Sequence, residues 1–416
     1  MPAACPRSYC LALVRVHVVD PSAYTPPYDH ALCHALGLAG VDVELMTSRF
    51  AYGEVPPAAA YARREFFYRH AFGAAGGRVR VVSKLVEHVP DMLRYRHHAQ
   101  DADIVHFQWL PVQGVDGRLL PRGRPLVLTS HDVLPREPRP GQLSAQRRLY
   151  EHFDAIVVHS EHGRSRLVEE LGVEGERVHV IPHGVFTHLA EGSPGGGEVA
   201  VCRNEDPTHP ACARAELALL RAHARESPQK ENTHQVVLMF GLMRPYKGID
   251  VLLEAWRGVE GQPEIEAAEL WIAGLPKMDI SALQAKAPAN VTIDPRFITD
   301  SELPDFFEGA TLVVLPYLQA DQSGVLFTAL AFGKPLLLSD AGGFPEMADT
   351  GAARIVPAGD PAALGVALRE LLKDSSTLAE MGAKAREAAQ GRYSWESVAS
   401  AHIGLYERLL EGPSRR

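Results

Sequence analysis

Short apolar runs alternate with amphipathic stretches through most of the chain. They fall at 11–19, 41–46, 104–109, 126–132, 155–160 and 178–181, then at 236–240, 269–273, 291–293, 311–315, 335–339 and 353–356. Runs this continuous predict strands covered on both faces, as in parallel sheets with helical crossovers. The stretches between them predict helices, among them 31–38, 161–171, 249–256, 325–332 and 396–411. Turn chemistry supports the boundaries: Asp29 is placed to cap 31–38, Gly40 to end it, and Ser160 or Glu161 to open the next helix. The rhythm breaks over 188–233, where a glycine-rich run, a helical segment at 213–224 and a polar run read as an insertion and linker. The pattern predicts an α/β chain of two Rossmann-like, doubly wound domains, 1–187 and 234–394, with their ligands in a cleft between them. A last helical segment occupies 395–416.

One stretch carries chemistry of its own. Val236 to Phe240 reads as a buried strand, Gly241 permits a sharp turn, and Arg244 and Lys247 stand in the loop before the helix from Ile249. A strand, a glycine turn and a helix start form an anion site at the carboxyl edge of a sheet. Arg forks two oxygens and Lys adds a mobile point charge, which together suit a diphosphate. Two other strand exits point the same way. Gln322, Ser323, Gly324 and Val325 open a helix whose first N–H groups face any anion there, with Ser323 as its cap. Gly342 and Gly343 let a ligand approach the backbone, and Glu346 follows with a carboxylate for sugar hydroxyls. In the first half His106 and the pair His131 and Asp132 stand at strand ends, where open α/β sheets place ligands.

Bulk properties narrow the class. A chain of 416 residues with 46% apolar and 22% charged residues fits a two-domain soluble enzyme. A net charge of −9 argues against nucleic acid as the partner. Five scattered cysteines, none in a C-x-x-C pair, suit a reducing compartment. No run reaches the ~18 apolar residues of a membrane span. The opening apolar run carries Arg15 and His17 and reads as a strand rather than a signal peptide, so a cytoplasmic protein is expected. No G-x-G-x-x-G follows the first strand, which argues against a dinucleotide-binding dehydrogenase. Residues 61–98 depart from the acidic whole, with eight Arg and Lys among apolar residues against three carboxylates. Such a stretch suits a solvated helix face or contact with anionic headgroups at the inner membrane face.

The motifs taken together resemble a family. Phe240-Gly241 with Arg244 to Gly248, Gln322 to Val325, Ala331 to Pro335, Gly342 to Glu346 and Tyr393 to Glu396 resemble the GT-B retaining glycosyltransferases of family 4. Thr129 to Asp132 and Ile181 to Gly184 resemble it in the first half. The resemblance implies transfer of a hexose from a UDP- or GDP-sugar to an acceptor hydroxyl, with retention and without a bound metal or cofactor. It makes 234–394 the donor domain and 1–187 the acceptor domain, with the last helix returning to the first domain. It implies that Arg244 and Lys247, beside Gly241, hold the diphosphate, with Gln322, Ser323, Gly324, Val325 and Glu346 around the phosphates and sugar. His131 would sit near the anomeric centre, and Arg296, Phe297 and Ile298 beside the base. Tyr28, His106 and Asp132 would face the acceptor, a sugar, lipid or small molecule. Three positions depart from the family. Ala320, with Asp321 adjacent, and Thr328 stand where members commonly carry two glutamates, so Thr328 offers the ribose a weaker contact; Leu242 stands where many members carry arginine, and a proline-rich loop at 21–27 follows the first strand. The lost glutamates keep open the alternative of a catalytically weakened nucleotide-sugar-binding module.

Overall fold

The computed structural model describes residues 14–50, 55–73, 77–135, 140–191, 235–259 and 267–412. The expected helix at 213–224, most of the insertion 188–233 and four of the five cysteines lie outside them. The chain divides into two compact units, Met1–Phe186 with Ala389–Arg416 and Thr187–Ala388.

The first unit runs β1 (Arg15–Asp20), α1 (Pro26–Leu38), β2 (Asp42–Ser48), β3 (Ala62–Phe67), α2 (Arg78–His98), β4 (Ile104–Phe107), α3 (Gln113–Leu119), β5 (Leu126–Thr129), α4 (Gln142–Tyr150), β6 (Ala155–Val158), α5 (Glu161–Glu169) and β7 (Val178–Val180). Its parallel sheet has the order β3-β2-β1-β4-β5-β6-β7, so the winding reverses between β1 and β4. Val16, Val18, Val127 and Val157 project to one face, while Val19, Phe107, Leu128 and Ile156 project to the other. Both faces are covered, which explains the unbroken apolar runs.

The second unit runs α6 (Thr187–Glu191), β8 (Gln235–Phe240), α7 (Ile249–Arg257), β9 (Ala268–Ala273), α8 (Ser281–Lys286), β10 (Val291–Asp294), α9 (Leu303–Gly309), β11 (Leu312–Leu315), α10 (Gly324–Ala331), β12 (Leu336–Ser339), β13 (Ala353–Val356), α11 (Pro361–Lys373) and α12 (Ser375–Gln390). Its parallel sheet has the order β10-β9-β8-β11-β12-β13, reversing between β8 and β11. The last helix, α13 (Trp395–Glu411), packs in the first unit, with Val398, Leu405 and Tyr406 in the core beside Val16, Leu32 and Leu36. Two doubly wound parallel sheets are the GT-B architecture.

Three local expectations change. The first helix begins at Pro26 rather than at 31, because Pro26 and Pro27 carry the fixed φ that a first turn needs. Asp29 therefore lies inside α1, buried, and does not cap it. The basic stretch contains a strand as well as a helix: β3 pairs with β2 at the sheet edge, and its exposed Arg63, Arg64 and Glu65 suit an edge position. Ser323 occupies the cap position of α10 but makes no side-chain cap bond.

Candidate active site

In the second unit the loops after β8 and β11 meet where the winding reverses, the place such folds reserve for ligands. Gly241 leaves β8 with φ 108°, and a Cβ there would fall 3.1 Å from both Lys247 Nζ and Val325. Gly248 has φ 66°, and a Cβ there would meet the Pro316 carbonyl at 2.1 Å. Between these glycines a short turn, Pro245–Lys247, folds Lys247 inward while Arg244 remains exposed. The Lys247 side chain is 7% exposed. Its ammonium donates to the Tyr317 hydroxyl at 2.6 Å and lies 4.6 Å from that ring's centre. Ser339 Oγ donates to the Tyr317 carbonyl at 2.6 Å, and Ser323 Oγ lies 3.3 Å from its hydroxyl. Neither Lys247 nor Arg244 pairs with a carboxylate among the described residues. A buried ammonium without a counter-ion is costly alone, so the arrangement suits a bound anion.

Of the other residues that the resemblance assigns to the donor, those after β11 and β12 adjoin this loop pair, while Arg296, Phe297 and Ile298 follow β10, two strands from β8. Gly324 and Val325 form the first turn of α10, and Gln322 is half-buried just before it. Gly342 has φ 58°, and a Cβ there would fall 1.4 Å from the Ala320 carbonyl, so the loops after β11 and β12 touch backbone to backbone. Glu346 is half-buried in the 3-10 turn Phe344–Thr350 that follows. The Thr328 hydroxyl donates to the Gly324 carbonyl at 2.9 Å, one turn back along its own helix. Arg296 is held by Asp294 at 3.1 Å and Glu302 at 3.0 Å, while Phe297 is exposed and Ile298 buried. Tyr317 was not singled out in the sequence. A tyrosine just past a strand that faces a lysine loop across the winding reversal is the signal that finds it.

In the first unit a hydrogen-bonded row crosses the carboxyl ends of four neighbouring strands. Gln108 follows β4, His131 follows β5, His159 follows β6 and Ile181 follows β7. His159 Nδ1 donates to the Ile181 carbonyl at 3.0 Å, because a carbonyl can only accept. Its Nε2 therefore accepts from His131 Nδ1 at 3.2 Å. That leaves His131 Nε2, 3.0 Å from the Gln108 side-chain amide, as an acceptor. The buried Gln108 amide nitrogen otherwise lacks a partner, so an amide orientation with nitrogen toward His131 satisfies both groups. Burial and the neighbouring histidines hold His131 well below the usual imidazole range, burial holds His159 at about 4, and burial with His159 holds His183 at about 3. Neutral rings are what the row requires.

Aromatic groups enclose these histidines. Trp109 stacks on His131 at 5.1 Å, and the buried Tyr28 ring meets His131 at 4.7 Å, His183 at 4.8 Å and Trp395 at 5.2 Å. Asp132 is exposed beside His131. His106 lies inside the core, with Nδ1 2.7 Å from Tyr406 and Nε2 2.7 Å from Thr129, so both ring nitrogens are engaged within the fold. Before α1, Asp20 organises the proline-rich loop by accepting the N–H groups of Ser22, Tyr24 and Thr25. Burial raises both Asp20 and Asp29. Asp29 is pushed further up than Asp20, by its burial and by the neighbouring Asp20 charge. A further cluster of His17, Glu44 and His98 brings ligand-type atoms within 4.8 Å of one another. The Arg64 guanidinium meets that carboxylate at 2.7 Å and lies 3.3 Å from His98.

Comparison with known proteins accounts for both halves. A family model described as Glycosyltransferase Family 4 matches residues 28–189, and one described as Glycosyl transferases group 1 matches residues 234–374. The chain is a family 4 glycosyltransferase. This glycosyltransferase is 27% identical to a D-inositol 3-phosphate glycosyltransferase of Segniliparus rotundus over 337 residues, 76% of this chain and 68% of that one. Its fold is similar to sucrose-phosphate synthase from Thermosynechococcus elongatus, with TM-score 0.70 and 19% identity over 95% of this chain and 99% of that one. It is also similar to Anabaena HepE, solved in complex with UDP-glucose, with TM-score 0.66 and 17% identity over 94% and 99% of the two chains. The glycosyltransferase contains, among its described residues, no helix long and apolar enough to cross a membrane.

Proposed function

We propose that this glycosyltransferase moves a hexose from a UDP- or GDP-sugar to an acceptor hydroxyl on a sugar, lipid or small molecule, with retention at the anomeric carbon. The observation that carries the proposal is the buried Lys247 ammonium, which has a tyrosine hydroxyl for a partner and no carboxylate among the described residues. In this reading the donor diphosphate completes its coordination. Arg244 closes on the same phosphates from the exposed side of the loop, and the first N–H groups of α10 add backbone donors. The UDP-glucose bound by the structurally similar HepE, and the D-inositol 3-phosphate in the name of the Segniliparus relative, support a nucleotide-sugar donor and a polyhydroxylated acceptor.

As the glycosidic bond breaks, negative charge builds on the leaving diphosphate. Lys247 and Arg244 stabilise that charge where it develops. The acceptor attacks from the face the phosphate leaves, and the departing phosphate oxygen takes the acceptor proton. No side-chain nucleophile is assigned. His131, a neutral ring whose two nitrogens are held by Gln108 and His159, packs beside the donor sugar, and Glu346 accepts from the sugar hydroxyls.

Replacing lysine with an apolar side chain of similar length tests the central claim. Lys247→Met lowers the transfer rate by ~10²-fold or more. The measurement is release of UDP or GDP with each nucleotide sugar in turn, in the presence of candidate acceptors. A wild-type rate in that variant with the donor the enzyme accepts would remove Lys247 from the reaction.

A further inference from the structure

Helix α2 presents an apolar stripe to solvent. Val79, Val82, Val86, Val89 and Leu93 recur at alternating spacings of three and four residues on its outward face, and all are exposed, Val86 by 71%. The inward face is separate: His88, Asp91, Met92 and Tyr95 are buried against the first unit. Phe72, before the helix, is also 67% exposed, and its carbonyl accepts a bond from the buried Ser83. The stripe runs about 21 Å along the helix axis. An isolated exposed valine is unremarkable, but a continuous stripe this long marks an interaction surface.

Charge selects the occupant. On the helical wheel Arg78 and Arg96 flank the stripe on one side, whereas Arg94 is drawn to Asp91 and the Phe66 carbonyl and Arg80 lies behind, against the Ala71 carbonyl. The helix's two carboxylates are turned to the protein: Glu87 accepts from the His70 N–H at 3.1 Å, and Asp91 from the Tyr68 N–H at 2.6 Å while holding Arg94 at 3.1 Å. The outward face is therefore apolar in the middle and cationic along the Arg78 and Arg96 margin, in a chain whose net charge is −9. A second copy of this helix packed antiparallel would set arginine against arginine. We infer that α2 is an interfacial helix that lays this stripe into a bilayer and sets its flanking arginines among anionic lipid headgroups. The inference does not rest on the donor chemistry.

The test uses the full chain and two kinds of vesicle, phosphatidylcholine alone and phosphatidylcholine mixed with phosphatidylglycerol. Wild type co-sediments with the mixed vesicles at low salt and is released as salt rises. The double variant Val82→Glu/Val86→Glu lowers partition by at least about tenfold. Arg78→Ala and Arg96→Ala each lower it about fivefold. Val82 and Val86 are exposed, so the double variant keeps the wild-type melting temperature. It also keeps the wild-type rate of nucleotide release in vesicle-free buffer, which separates this result from any failure of the transfer reading. The inference is overturned if wild type stays in the supernatant with mixed vesicles, as it would if another part of the chain covers the stripe. It is equally overturned if the glutamate variant binds as well as wild type, or if light scattering shows a dimer that the variant splits.

Discussion

His131 offers its ring nitrogens to two neighbours rather than to water, and the direction of those bonds follows from one backbone carbonyl. Ile181 can only accept, so His159 must donate from Nδ1, and the choice of tautomer passes to His131. His159 is thus a positioning residue for the reaction proposed above. His159→Asn keeps an acceptor for the His131 N–H and retains most of the transfer rate. His159→Phe removes that acceptor and lowers the rate about tenfold, the worth of one lost hydrogen bond. Steady-state rates for the two variants check this, and equal rates would dismiss the row as packing. The same histidines make the first unit sensitive to acid. His17, His159 and His402 sit at about 4 and His183 at about 3, against an ordinary value of 6.5, chiefly through burial. The unfolded chain binds more protons than the folded one between those limits, so stability is fully present above pH 6.5. It is lost as pH falls through the folded values. Melting temperature measured from pH 8 downward is expected to hold level and then drop below 6.5.

Loops, not strands, place the groups around Lys247. The second unit needs glycine wherever two of these loops touch. Gly274 brings its backbone to Gly241, where a Cβ would fall 2.0 Å from the carbonyl, and Gly342 does the same against Ala320. A backbone oxygen cannot swing aside as a flexible side chain does. Gly342→Ala therefore combines a left-handed φ with a clash, at a cost of at least ~1–3 kcal/mol. Thermal denaturation should show a lowered melting temperature, and an unchanged one would mean the two loops separate freely. In the first unit the loop 182–186 is fastened to the start of α13. Trp395 Nε1 donates to the Val185 carbonyl at 2.6 Å, and its indole lies where a Cβ on Gly184 would reach, 2.4 Å away.

Residues from the end of the chain complete the core of its first half. Val398, Ala399, Leu405 and Tyr406 are buried with Val16, Val18, Leu32 and Leu36, and the Tyr406 hydroxyl reaches His106 across 300 positions of sequence. A chain ending at Ala388 would expose that apolar face and leave the His106 ring nitrogen without its partner. Such a truncation is expected to aggregate or to lose cooperative melting of the first unit while the second unit stays protected. Limited proteolysis followed by mass mapping distinguishes this from two intact units.

Local pattern was enough for the two sheets and the family. A strand covered on both faces must be apolar along its length, and a sharp turn after a strand needs its glycine in place, so the runs at 236–240 and 311–315 and the loop from Gly241 to Gly248 were legible as written. The contacts that shape the sites were not. Tyr317 meets Lys247 across 70 positions, His131 meets His159 across 28, and Asp29 turns from an expected cap into a buried neighbour of Asp20. Periodicity reports which residues face inward, whereas the order in which strands lie side by side decides which strand ends become neighbours. That order, together with the return of α13 to the first unit, is a property of the folded chain alone.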